Sequence, residues 1–243
     1  MADDIRCPSS AELVGIWERG LGRPGHERAL MLLEKACPGW SAEDLARWTV
    51  GRRDAVLFRL RQALFGEGLA SVVRCANCRA EVELSFALSD MWLPGEATAP
   101  GKGSVSMAGY DVHYRAPNSQ DVAAVLHEPS VGAARLRLLE LCIESVSPDG
   151  EMPEEVCAAV VSGIAAADPV ADRRLNVVCE ECGHQWEEIF DIAVWLNSEI
   201  ATWVRRMLRE VHALAAAYGW REEDILNMNP TRRQIYLSIL AQA

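Results

Sequence analysis

Apolar residues recur every three or four positions at both ends of the chain and alternate with polar ones in short runs between. The first pattern predicts helices and the second half-buried strands. From Ala11 to about Phe65 the reading is helical. Leu13, Ile16 and Trp17 open a stripe that Gly22-Arg-Pro-Gly25 breaks, and Ala29, Leu30, Leu32, Leu33 and Ala36 resume it. Ser41 with Asp44 starts a short helix through Trp48 in the manner of a capping box. Gly51 begins another, with Val56, Leu57, Leu60 and Leu64 inward until Gly66. The strongest period is C-terminal, at Ile200, Trp203, Val204, Met207, Leu208, Val211, Leu214 and Tyr218. Gly219 ends that helix, and Asn229-Pro230 caps a last one with Ile235, Tyr236, Ile239 and Leu240 inward.

Alternation marks Val72-Val73-Arg74, Glu81 to Phe86 and Leu175 to Val178 as strands, with a further hairpin from Val105 to Tyr114 around Ala108-Gly109. Met91 to Gly103, rich in Pro and Gly, reads as a loop. Three helices follow: one capped by Asn118 or Ser119 with Asp121, one over Ala133–Val146 burying Leu136, Leu139, Leu141, Cys142 and Val146, and one over Glu154–Ala167 with Pro153 at its first position.

Two cysteine pairs interrupt the strands, Cys75-Ala-Asn-Cys78 and Cys179-Glu-Glu-Cys182. Strand, C-x-x-C knuckle, strand, twice over, is the layout of a zinc ribbon, and the four thiolates of Cys75, Cys78, Cys179 and Cys182 suit one tetrahedral Zn2+. A four-sulfur shell leaves no position for a water, so the metal is expected to be structural. Gly183 suits the positive φ such a turn often needs, where the first knuckle has Arg79. The bland readings fit less well. Neither pair sits in the βαβ setting of a redox motif, and disulfides need an oxidising compartment. The opening Met1-Ala-Asp-Asp-Ile-Arg-Cys-Pro has no apolar run, so a cytoplasmic location is expected. His184 lies close enough to Cys182 to substitute as a ligand but more readily has a supporting or solvent role. Glu180-Glu181 and Glu187-Glu188 read as solvated charge rather than acid–base pairs.

The resulting plan is α+β and mainly α-helical. It comprises an N-terminal helical region (1–70), a split zinc ribbon (71–90 and 172–192), a mostly helical insertion (91–171) and a C-terminal helical hairpin (193–243). A formal net charge of −11 argues against non-specific nucleic-acid binding. The cations are nearly all arginines, which suit carboxylates and protein interfaces. No phosphate-binding glycine loop, nucleophile elbow or spaced histidine pair occurs, so no enzyme is expected. Most of the eight tryptophans fall on helical stripes, while Trp17, Trp92 or Trp220 could anchor a partner.

The C-terminal half carries a resemblance. Cys179-Glu-Glu-Cys182-Gly-His-Gln-Trp186, Phe190-Asp-Ile192, Arg209-Glu-Val-His-Ala-Leu-Ala215, Tyr218-Gly-Trp220 and Pro230-Thr-Arg-Arg233 follow in order, with Trp17-Glu-Arg-Gly20 and Gly51-Arg-Arg-Asp54 upstream. Together they resemble a family encoded with phage-tail-like contractile injection systems. The closing segment is similar to the baseplate hub assembly chaperones of contractile-tailed phages. The resemblance implies a non-enzymatic assembly chaperone or accessory protein acting on baseplate, hub or spike proteins. Arginine and aromatics dominate binding hot spots, so Trp220, Arg232, Arg233 and Tyr236 are the expected contacts. The alternative is a zinc-ribbon adaptor binding nucleic acid or transcription machinery.

Overall fold

The computed structural model describes residues 5–91 and 101–242. The proline-rich stretch read as a loop, and Trp92 with it, falls mostly outside them. The chain divides into two compact units, one made of its two ends and one of residues 39–192. The N-terminal helical region is therefore split at Pro38.

In the first unit, α1 (Ser10–Arg19) starts at a capping box in which Ser9 and Glu12 satisfy each other's backbone amides. It buries Leu13, Val14 and Ile16 and packs on α2 (Gly25–Ala36). After the middle unit come α8 (Ile192–Tyr218), α9 (Glu222–Leu226) and α10 (Pro230–Leu240). Leu196, Ile200, Val204, Met207, Val211 and Leu214 make one buried stripe along α8, as their spacing dictates. Gly219, at φ 66°, closes that helix, its N–H donating to the Ala215 carbonyl. The expected inward face of α10 is corrected. Ile235 and Ile239 are 54% and 50% exposed, and Arg233 is the buried residue of that helix.

The second unit begins with α3 (Ala42–Ala46) and α4 (Val50–Phe65), capped by Ser41 and Thr49. Strands β1 (Gly68–Arg74) and β2 (Glu81–Ala87) form one antiparallel hairpin, and β6 (Arg174–Val178) and β7 (Gln185–Ile189) form another. Helix α4 braces the first by donating from Arg61 to the Gly66 and Gly68 carbonyls. It meets the second where Phe58 stacks on Phe190, which also takes the edge of Phe86.

Between the hairpins, β3 (Lys102–Met107), β4 (Tyr110–Arg115) and β5 (Ile143–Ser147) make a three-stranded antiparallel sheet. Ala108 and Gly109 both have positive φ, the backbone that tight hairpin turns require. Helix α5 (Ser119–Val125) starts at an Asn118–Asp121 capping box, followed by α6 (Val131–Cys142) and α7 (Glu154–Ala167). Val156 and Val160 of α7 pack on Val112 and Tyr114 of β4 to form a core of their own. The helix expected over Ala133–Val146 ends at Cys142, because the β-branched Ile143 and Val146 pair with Tyr114 and Val112 of β4 across a shift in register. Only Cys142 of α6 is buried, and Leu136 is 66% exposed. The molecule is thus mixed α and β, and the insertion carries a sheet among its helices. No helix among the described residues is long and apolar enough to cross a membrane.

Candidate metal centre

The two cysteine turns are built alike. Each closes an antiparallel hairpin, between the paired residues Arg74 and Glu81 in one and Val178 and Gln185 in the other. In the first, the Cys75 amide donates to the Ala80 carbonyl and the Arg79 amide to the Cys75 carbonyl, at 3.0 and 2.9 Å. In the second, Cys179 donates to His184 and Gly183 to Cys179, at 2.9 and 2.8 Å. Both turns need a left-handed residue after the second cysteine, supplied by Arg79 (φ 63°) and Gly183 (φ 71°).

This repeated backbone aims four sulfurs at one point. Their Sγ atoms all lie within 4.8 Å of one another. Two pairs bridge the turns directly, Cys75 to Cys182 at 3.7 Å and Cys78 to Cys179 at 3.6 Å. None of the four is in a disulfide. Cys75 and Cys179 are buried, while Cys78 and Cys182 face outward. The group can hold a metal ion, and it joins segments more than a hundred residues apart in sequence.

Hydrogen-bond donors surround the outer sulfurs. Asn77 Nδ2 points at Cys182 Sγ from 3.6 Å, and with the His184 amide it brings the Cys182 thiol down to about 6. Cys78 receives the equivalent amide of Ala80, which favours its thiolate, but its hydrogen bonds with the Cys182, Cys179 and Cys75 sulfurs outweigh it and push that thiol up to about 12. Crowded sulfurs cannot all carry negative charge without a cation between them. The contact of Asn77 with the sulfur cluster is missed in the sequence, because an asparagine inside a turn normally signals only backbone preference.

The histidine and carboxylates near Cys182 belong to the second turn and its strands. The His184 ring stacks on Trp186 at 5.7 Å and is not among the clustered ligands. Glu187 pairs with Arg174, and Glu188 accepts from Trp186 Nε1, so these carboxylates brace the second hairpin. In the unit of chain ends, Trp220 stacks on Tyr218 with centroids 4.6 Å apart and meets Tyr236 edge-on at 4.8 Å. Arg232 lies over Tyr236, 5.7 Å from the ring centroid. Trp220, Arg232 and Tyr236 therefore stand together. Arg233 does not join them; it turns inward to pair with Glu210 at 2.8 Å.

The chain matches no protein-family model, no curated protein and no solved structure.

Proposed function

We propose that this chain is a non-enzymatic assembly factor stapled by a structural zinc through a split zinc ribbon. Its client is a baseplate, hub or spike protein of a contractile phage-tail-like injection system. The observation that carries the zinc reading is the sulfur spacing. A tetrahedron with Zn–S bonds of about 2.3 Å has sulfur–sulfur edges of about 3.8 Å, and the two cross-turn pairs stand at 3.7 and 3.6 Å. Four thiolates are a soft set suited to zinc, and they leave no position for a catalytic water. Binding such an ion contributes about 10–16 kcal/mol in small zinc peptides, ample to hold together two hairpins that each have only two strands.

The client reading rests on the ordered sequence motifs and on the Tyr218, Trp220, Tyr236 and Arg232 cluster, whose composition is that of a binding hot spot. With Arg233 inside, the contact set narrows to Trp220, Arg232 and Tyr236.

Two measurements test the proposal. Protein purified without chelator should carry one zinc per chain with an all-sulfur shell by X-ray absorption, and Cys75→Ser or Cys179→Ser should abolish it; metal-free protein with native stability sinks the zinc half. Co-expression with the baseplate, hub and spike genes of a contractile injection system followed by pull-down should recover one of these subunits, and Trp220→Ala with Arg232→Ala should weaken that capture. Recovery of none of these, or salt-dependent nucleic-acid binding in its place, overturns the client half.

A further inference from the structure

We infer that the outer face of α6 and α7 is where a second copy of this chain docks, as an isologous dimer. This inference is independent of the metal and client readings. Helix α7, Glu-Glu-Val-Cys-Ala-Ala-Val-Val-Ser-Gly-Ile-Ala-Ala-Ala, is apolar beyond its first turn except for Ser162. A helix of that kind is normally covered on every side. Within its unit it is covered on one side only: Val156 and Val160 lie on the sheet, while Ala158 and Ala165 face outward with Val161, which is 43% exposed. Beside it, α6 leaves Leu136 66% and Val131 79% exposed. Between the two helices runs an apolar groove of about 650 Å3, floored by Leu139, Cys142 and Ile164.

The patch complements itself, and this selects the occupant. It carries both protruding side chains and the hollow that receives them. Leu136 projects one helical turn from Gly132, where an added Cβ would meet nothing nearer than Ser130 Oγ at 3.8 Å. About a two-fold axis through the groove, the α6 helix of each copy lies over the α7 helix of the other, and each Leu136 enters the other copy's groove. Such a contact repeats reciprocally about a two-fold axis.

The charges follow the same rule. Arg135 and Glu154 are the two charged residues lining the groove, of opposite sign and on opposite helices, and neither is ion-paired among the described residues. A two-fold through the groove brings each Arg135 to the other copy's Glu154. A foreign partner would need only the complement of the patch; the presence of both halves on one surface points to a copy of itself.

The experiment is analytical ultracentrifugation of the zinc-loaded full chain from about 1 to about 100 µM, where mass action must reveal association. A monomer–dimer equilibrium is expected. Leu136→Glu, at an exposed position that leaves the fold intact, should abolish it. Arg135→Glu alone and Glu154→Arg alone should each weaken the dimer about tenfold or more, and the double reversal should restore it to within about threefold. Strict monomer throughout the range overturns the inference. So does a dimer indifferent to Leu136→Glu, or a failure of the double reversal to recover what each single one loses. A monomer whose groove takes up an apolar dye would assign the face to a different ligand and also overturn it.

Discussion

Arg79 and Gly183 hold the same position in the two cysteine turns and the same left-handed backbone, φ 63° and 71°. An L-residue with a side chain loses roughly 1–2 kcal/mol in that region, while glycine enters it freely. The two turns therefore differ in strain although their hydrogen bonds match. Arg79→Gly should stabilise the zinc-loaded protein by about 0.5–1 kcal/mol, less than the full strain because glycine also loosens the unfolded chain. Gly183→Ala should cost about 1 kcal/mol. Denaturant midpoints of the two variants should move in opposite directions with zinc content unchanged. A loss on Arg79→Gly would show that the side chain has a role the turn geometry does not reveal.

Asp168 closes the N-terminus of α4 from the far end of the insertion. Its Oδ2 accepts the Gly51 amide at 2.8 Å, in a buried setting 117 residues away in sequence. A carboxylate here satisfies an orphan amide and complements the helix dipole. Gly51 must be glycine for this contact, since a Cβ would collide with the Asp168 carboxylate. Gly51→Ala and Asp168→Ala are each expected to cost about 1–3 kcal/mol. Combined, they should cost less than the sum, because both break one contact. Thermal denaturation of the singles and the double checks this, and strict additivity would argue against a shared interaction.

Local signals were legible in the sequence and distant ones were not. The cysteine turns could be read because three residues of spacing and two flanking strands encode them, and the Ala108-Gly109 hairpin because its turn chemistry is local. The end of α6 was misplaced because Leu139 to Val146 is apolar enough for either period, and the pairing of Val146 with Val112 decides it. Arg233 is expected among the partner contacts, and Ile235 and Ile239 among the inward residues of α10; a salt bridge to Glu210, on another helix, reverses that order. The division at Pro38 and the Asp168 cap both depend on contacts between remote segments. Nothing in a short window of sequence announces either.

Asp54 makes stability depend on pH in the sense opposite to most carboxylates. It is buried on α4, and burial raises its carboxyl from 3.8 to about 6. Arg53, donating from Nε at 2.7 Å, pulls the other way, while Asp191 and Asp168 push in the same direction as burial. The folded state therefore holds this proton more tightly than the unfolded chain does. The corresponding stability is fully present below about pH 4 and is lost as pH rises through about 6. Asp54→Asn removes the titration and keeps an acceptor for Arg53. Relative to that variant, the native protein should lose about 1 kcal/mol between about pH 5 and about pH 7. Taking the difference between two zinc-loaded proteins cancels the pH dependence of the metal site. A difference that stays flat across this window would mean Asp54 ionises as an ordinary carboxyl.

Arg233 and its neighbour Arg232 should part company under mutation, although they stand side by side near the start of α10. Arg233 donates from Nε to Glu210 Oε2 at 2.8 Å and from a terminal nitrogen to the Met228 carbonyl at 3.2 Å, with only 7% of its side chain exposed. It fastens α10 to α8 and to the turn before it. Arg233→Ala leaves a largely buried carboxylate whose remaining cation among the described residues is Arg206 at 3.8 Å, a loss of about 3 kcal/mol. Replacing both members, Arg233→Met with Glu210→Leu, should recover much of that, since a well-packed apolar pair dispenses with the desolvation penalty of two ions. Arg232→Ala, on the exposed side over Tyr236, should change stability by no more than about 0.5 kcal/mol. If client capture falls with Arg232→Ala while the melting temperature holds, the exposed arginine belongs to the binding surface. Should Arg233→Ala prove as mild as Arg232→Ala in denaturation, the Glu210 pair is not what anchors this helix.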